Sequence, residues 1–168
     1  PSREGYIFDG WYDGDIKVTN GKWGTDGNRN LVAHWTPISY SIAYNLNGGF
    51  ASDNPVTYTI ETNTFTLNNP SKEGYTFIGW TGSNIPTPSK NDVIEKGSIG
   101  DKSYVANYSN NEYTITYYFG YENKTQTQLV SFDKEFSLLS PSRDGYVFNG
   151  WLYNGKQFGS GIYSVPSN

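Results

Sequence analysis

The chain has 168 residues and a formal net charge of −4, from 12 Lys and Arg against 16 Asp and Glu. Positive charge this sparse, and nowhere clustered, excludes a surface that neutralises a run of phosphates, and with it nucleic-acid binding. There is no cysteine, which excludes a disulfide framework and a thiolate metal site, and no apolar run nears the ~20 residues of a bilayer-spanning helix.

Only 35% of the chain is hydrophobic, yet it holds 15 Tyr, 9 Phe and 5 Trp. Rings carry large apolar areas, so a small core can be built from few residues, and the composition is not that of a disordered tail. Abundant Tyr, Thr, Ile, Val, Gly and Asn point to strands and tight turns. Pro1 is not a natural start, so the chain is expected to be a fragment or processed product.

In chain order, residues 1–11 read Pro-Ser-Arg-Glu-Gly-Tyr-Ile-Phe-Asp-Gly-Trp: a Pro-fixed polar turn, then a strand. A variable loop leads to a strand carrying Leu31, Ala33 and Trp35. Tyr40, Ile42, Tyr44 and Leu46 then alternate with small or polar residues, a period of two that buries one face. Asn47-Gly48-Gly49 predicts a turn into a second strand carrying Val56, Tyr58 and Ile60. Phe65 and Leu67 lead into Pro70-Ser-Lys-Glu-Gly-Tyr-Thr-Phe-Ile-Gly-Trp80, a second copy of the opening motif. Residues 89–97 predict one or two helical turns, capped by Ser89 and ended by Gly97. A strand with Tyr104, Ala106 and Tyr108 follows. Tyr113, Ile115, Tyr117 and Phe119 then repeat the earlier alternation, and Phe136 and Leu138 precede the third motif copy, Pro141 to Trp151.

Trp11 and Trp80 are 69 residues apart, Trp80 and Trp151 71. Seven of the eleven motif positions are identical in all three copies and two more keep their charge, which identifies an internal repeat of about 70 residues. The expected fold class is α+β, predominantly β, in tandem small modules. Residues 1–36 are the C-terminal half of a repeat, 38–109 a complete repeat, and 112–168 the N-terminal part of a further one without its last strand. The joins are a few residues long, so neighbouring units are expected to flex about them. Open strand edges in the incomplete units predict self-association.

The structural motif consists of Gly5, Tyr6, Phe8, Gly10 and Trp11, repeated as Gly74, Tyr75, Phe77, Gly79 and Trp80 and as Gly145, Tyr146, Phe148, Gly150 and Trp151. The first glycine of each set is expected at positive φ, and the second where another chain segment packs closely. Pro-x-[Lys/Arg]-[Glu/Asp]-Gly-Tyr-x-Phe-x-Gly-Trp, followed by an Ala-[His/Asn]-[Trp/Tyr] strand, resembles the Listeria–Bacteroides repeat family, the B-repeats of internalin surface proteins. Thr81 and Leu152 stand where a Tyr often follows the Trp. The resemblance implies a β-grasp, ubiquitin-like fold for each unit and a place on a bacterial surface, in tandem between a binding domain and a cell-wall anchor. It brings no catalytic residues, and fold alone does not settle function.

Chemistry is sparse. His34 is the single histidine, and Asn107 stands at its repeat counterpart, so an acid–base role is not expected. Asp9, Asp13 and Asp15 cluster without the ligand order of a calcium loop, and the third copy has Asn149 and Asn154 nearby instead. No metal, cofactor or enzymatic activity is expected. Tyr12, Trp23, Tyr118, Tyr121 and Tyr153 lie off the repeated core pattern, and Trp23 and Tyr121 are the candidate ligand contacts, by stacking on sugars or packing on a protein. The leading expectation is a stalk or spacer of an extracellular, cell-surface or cell-wall protein, and the alternative is an adhesion or glycan-binding module.

Overall fold

The computed structural model describes residues 1–21, 24, 27–159 and 161–162. Every regular element among them is a strand, and strands pair within three consecutive stretches of chain. In the first, β1 (Tyr6–Asp13), β2 (Ile16–Val18) and β3 (Val32–Pro37) form an antiparallel sheet ordered β2-β1-β3.

The middle stretch holds β4 (Tyr40–Asn45), β5 (Thr57–Tyr58), β6 (Phe65–Thr66), β7 (Tyr75–Gly82), β8 (Ile85–Ser89), β9 (Val93–Ile94) and β10 (Lys102–Asn110). Its main sheet runs β5-β4-β10-β7-β8, with β6 and β9 paired apart from it. β10 is central: it lies parallel to β4, with Lys102 opposite Ile42 and Tyr104 opposite Tyr44, and antiparallel to β7. The last stretch holds β11 (Glu112–Tyr118), β12 (Thr125–Ser131), β13 (Glu135–Phe136), β14 (Trp151–Tyr153), β15 (Lys156–Phe158) and β16 (Gly161–Ile162), paired as β11-β12, β13-β16 and β14-β15.

The alternation in β4 does what period two requires. Ile42 is buried, Tyr40 and Tyr44 are half-buried, and Ser41, Ala43 and Asn45 face solvent. Asn47 (φ 47°) and Gly48 (φ 80°) turn the chain in the left-handed region, and the Gly49 amide closes the turn on the Leu46 carbonyl at 2.8 Å. The second strand is shorter than expected. Only Thr57 and Tyr58 pair, Tyr58 is buried, and Val56 is 66% exposed.

The helical turns expected over residues 89–97 do not form, which corrects the α+β expectation to an all-strand fold among the described residues. A helix of nine residues is marginal without a packed face. Here Ile94 pairs with Phe65, the Asp92 carbonyl accepts from the Leu67 amide, and Ile94 is 2% exposed. An extended chain buries that side chain and also satisfies the backbone.

The middle core consists of Ile42, Tyr58, Leu67, Trp80, Ile94, Tyr104 and Ala106. Trp80 has no exposed surface. Tyr44, Phe77 and Tyr104 surround it at centroid distances of 5.8, 5.5 and 6.1 Å. No polar or charged residue is buried among the described ones, so ring packing supplies the cohesion.

Candidate functional site

The motif does two jobs, one at each end of its strand segment. On the core side, Phe meets Trp edge-to-face in all three copies. The centroid distances are 5.6 Å for Phe8–Trp11, 5.5 Å for Phe77–Trp80 and 5.2 Å for Phe148–Trp151, with the planes 70°, 68° and 64° apart. The glycine before each Trp holds a φ that L side chains avoid: 146° at Gly10, 144° at Gly79 and 116° at Gly150. Beside Gly10 and Gly79 the register of the pairing to β3 and β10 shifts, as at a β-bulge. A Cβ on Gly79 would stand 2.5 Å from the Ser89 amide nitrogen, so the following strand lies directly over it. Trp environments differ: Trp80 is fully buried, Trp11 is 40% exposed, and half-buried Trp151 donates its indole N–H to the Leu139 carbonyl at 2.7 Å.

The N-terminal end of the motif, its Gly-Tyr pair, meets a neighbouring stretch of chain. Gly5 (φ 75°) has Ile60 against it, so close that an added Cβ would meet the Ile60 Cδ1 at 2.7 Å. The Tyr6 hydroxyl donates to Glu61 Oε1 at 2.8 Å, and the Ile38 amide donates to the Gly5 carbonyl at 2.9 Å. The second copy repeats each contact. Gly74 (φ 77°) lies under the Phe132 ring, which a Cβ would overlap. The Tyr75 hydroxyl donates to Asp133 Oδ2 at 3.0 Å, and the Asn111 amide donates to the Gly74 carbonyl at 3.0 Å. The Tyr rings are capped by the motif's basic residue, with Arg3 3.7 Å from the Tyr6 centroid and Lys72 4.2 Å from that of Tyr75.

These contacts raise both phenol pKa values: at Tyr6 chiefly through the hydrogen bond to Glu61, at Tyr75 through lost hydration and then Asp133. The second join is reinforced further. The Phe132 amide donates to the Asn111 carbonyl, and the Asn110 side-chain amide donates to the Phe132 carbonyl. The joins are therefore not the bare tethers that their length suggests, because their backbone groups are bonded across the boundary. The partner positions, Ile60-Glu61 and Phe132-Asp133, were missed in the sequence. Their signal is an apolar residue followed by an acid, recurring 72 positions on. In the third copy Arg143 caps Tyr146 at 3.9 Å, but nothing lies within 4 Å of a Cβ on Gly145, and Tyr146 is 65% exposed.

Of the candidate ligand contacts, Trp23 lies outside the described residues. Tyr121 is half-buried beside a cleft of about 170 Å³, which Phe119, Arg143, Tyr146, Phe148 and Trp151 also line. The Arg143 guanidinium is 4.4 Å from the Tyr121 centroid. Tyr118 and Tyr153 are exposed, and Tyr12 stacks on His34 at 3.9 Å. Asn107, at the counterpart of His34, instead donates its amide to the Gly79 and Val105 carbonyls and the Thr81 hydroxyl. The acidic cluster is drawn apart, with Asp9 accepting from Thr36 and Asp13 paired with Arg29 at 3.3 Å. Among the described residues no three His, Cys, Asp or Glu side chains gather as a metal site, and no helix is long and apolar enough to cross a membrane.

One motif that packs a core and also clasps the next stretch of chain defines a tandem-repeat β protein. The chain belongs to the Listeria-Bacteroides repeat domain family, whose model matches residues 1–34, 40–102 and 113–164. It is 26% identical over 162 residues to a "Putative Gly-rich membrane protein" of Evansella cellulosilytica, covering 90% of this chain and 18% of that one. A "Putative membrane protein" of the same organism is 27% identical over 184 residues, covering all of this chain and 26% of its own. Internalin H of Listeria monocytogenes is 28% identical over 116 residues, covering 67% of this chain and 21% of its own. The chain thus spans about a quarter or less of the length of these relatives. No solved structure matches it significantly.

Proposed function

We propose that the chain is a non-catalytic stalk or spacer segment of a bacterial surface protein, in which repeated modules are clasped at a set orientation. The observation that carries this reading is the duplicated junction: Gly5-Tyr6 on Ile60-Glu61 and Gly74-Tyr75 on Phe132-Asp133. A corresponding contact at successive boundaries favours a similar rotation at each step, which is how repeat proteins extend. The relatives' printed descriptions as membrane proteins and an internalin support a place at the cell surface.

In this reading residues 38–109 are one whole module, flanked by the later half of one repeat (1–36) and the earlier part of another (112–168). The order β5-β4-β10-β7-β8, with β4 and β10 parallel at its centre, is that of a β-grasp sheet without its helix. The Gly-Tyr pairs serve the junction, and the Phe and Trp serve the core.

The absence of cysteine makes the test simple. Spin labels placed through Asp15→Cys and Lys90→Cys, both exposed positions, report on the first junction. A single narrow distance distribution is expected, and the added pair Tyr6→Phe and Ile60→Ser should broaden it. A broad distribution in the otherwise unaltered chain would sink the spacer reading.

A second reading, an adhesion or glycan-binding module, has in its favour the aromatic cleft beside Tyr121 and Arg143. Selective retention on an insoluble polysaccharide, lost in Tyr121→Ala, would favour it.

A further inference from the structure

We propose that the two junctions are built to different strengths, so that the segment bends at the first, between Trp35 and Tyr40, while the second holds. The inference rests on the spacer reading, and it assigns Thr76, Asn110 and Asn111 as the residues that stiffen a junction.

The junctions can be compared part for part. Each is built from the motif and last strand of one unit and the first strands and following turn of the next, and the chain contains all of these at both places. Pro37 lies opposite Tyr6 in the register of β1 and β3, as Asn110 lies opposite Tyr75 in that of β7 and β10. Ile7 stands at the counterpart of Thr76. Ile38, whose amide donates to Gly5, stands at that of Asn111, whose amide donates to Gly74. The receiving turns match as well, closed by the Thr62 amide on the Thr59 carbonyl at 3.0 Å and by the Lys134 amide on the Ser131 carbonyl at 3.2 Å.

The side chains at these matched positions differ in what they can bond. At the second junction the Thr76 hydroxyl donates to Asn111 Oδ1 at 2.7 Å, which ties β7 to the linker. The Asn110 side-chain amide donates to the Phe132 carbonyl at 2.6 Å, which ties β10 to the receiving turn. Phe132 also sets its ring edge-on to Tyr75 at 5.2 Å and is only 9% exposed. The first junction can make none of these contacts. Ile7 and Ile38 carry no hydrogen-bonding side-chain group, Pro37 has neither an N–H nor a side-chain amide, and Ile60 brings no ring to Tyr6. It relies on the Ile38 amide, the Tyr6 hydroxyl and the packing of Ile60 on Gly5. Two side-chain hydrogen bonds and an aromatic pair thus separate the junctions, enough to make opening of the first at least about ten-fold more frequent. The closed form dominates at both, so each keeps its resting orientation and bending is taken up at the first.

The test reads amide exchange of the whole chain residue by residue by NMR. Ile38 should be protected at least about ten-fold less than Asn111. It should also be protected less than the amides of the β1–β3 ladder, which report unfolding of the first stretch. Installing the second junction's residues at the first, through Ile7→Thr, Pro37→Asn and Ile38→Asn together, should slow exchange at position 38 about ten-fold. Removing them from the second, through Thr76→Val with Asn110→Ala, should speed exchange at Asn111 by a similar factor and leave Ile38 unchanged. Equal protection of Ile38 and Asn111 in the unaltered chain would overturn this inference alone, as would exchange at position 38 that ignores the installed residues. Loss of protection at both amides with the strand ladders intact would overturn the clasp as well, and with it the spacer reading.

Discussion

Tyr75 sends its hydroxyl to Asp133, 58 positions along the chain, and Tyr6 sends its own to Glu61, 55 positions along. Two tyrosines that read as core residues of a repeated motif are thus hydrogen-bonded to the stretch that follows. Their basic neighbours, Arg3 and Lys72, cover the ring faces and hold the hydroxyls in position.

Gly74→Ala tests the clasp. Its φ of 77° is costly for an L side chain, and the new Cβ would overlap the Phe132 ring. Backbone strain of this kind costs about 1–3 kcal/mol. Faster amide exchange at Asn111 and Phe132 is expected, with β4 and β10 unaffected. Gly145→Ala, which meets nothing within 4 Å, shares the φ strain but should leave the Asn111 and Phe132 amides unchanged.

Gly79→Ala and Gly10→Ala should differ although both glycines have nearly the same φ. At Gly79 the obstacle is backbone, Pro88 and Ser89, whereas at Gly10 it is the flexible end of Lys17. A lysine side chain moves aside and a strand does not. Chemical denaturation should show the larger loss for Gly79→Ala, by at least about 1 kcal/mol, the usual scale of overpacking.

Trp80→Ala removes the one large side chain among the described residues with no exposed surface, for which about 3–5 kcal/mol is typical. A 70-residue module at ~0.05–0.15 kcal/mol per residue has only ~4–10 kcal/mol in all, so the middle stretch should lose its cooperative unfolding transition. Trp11→Ala, at a 40% exposed position, should cost distinctly less by the same measurement.

Alkaline stability follows from the tyrosines. Burial pushes the Tyr44 hydroxyl up to about 12 and raises that of Tyr104, where a bond to Asp92 adds to the effect. With folded pKa values above the unfolded value of about 10, their contribution is complete below pH 10. It falls as pH rises through the folded values, because the unfolded chain gives up its protons first. Unfolding midpoints should drop between about pH 10 and pH 12, and phenolate absorbance should rise in two phases. A single phase near pH 10 in the folded chain would contradict this.

The period-two runs made the core readable from the sequence. Ile42, Tyr58, Tyr104 and Ala106 lie on the buried faces that alternation assigns them, whereas Trp80 breaks the alternation and joins Phe77 in the core through the irregularity at Gly79. Two features were not readable. Residues 89–97 carry a cap and a stop, but the need of Ile94 for Phe65 across the sheet is a tertiary preference that local signals do not contain. The junction was hidden for a related reason: Glu61 and Asp133 belong to no motif, and only the folded chain brings them to Tyr6 and Tyr75. Of the two candidate contacts, Trp23 lies outside the described residues. Tyr121 stands at a cleft, but Arg143, which read as one half of a polar turn, lines it as well.

The parallel pairing of β4 with β10 has a mechanical consequence. The middle stretch is entered at Tyr40 and left at Asn110, so tension along the chain pulls β4 and β10 past one another along their length. The bonds between Lys102–Val105 and Ile42–Asn45 are then loaded together rather than opened one after another. Force that would peel a terminal hairpin apart must break this central ladder at once, and a segment strung between two attachment points would hold its length under load until it did.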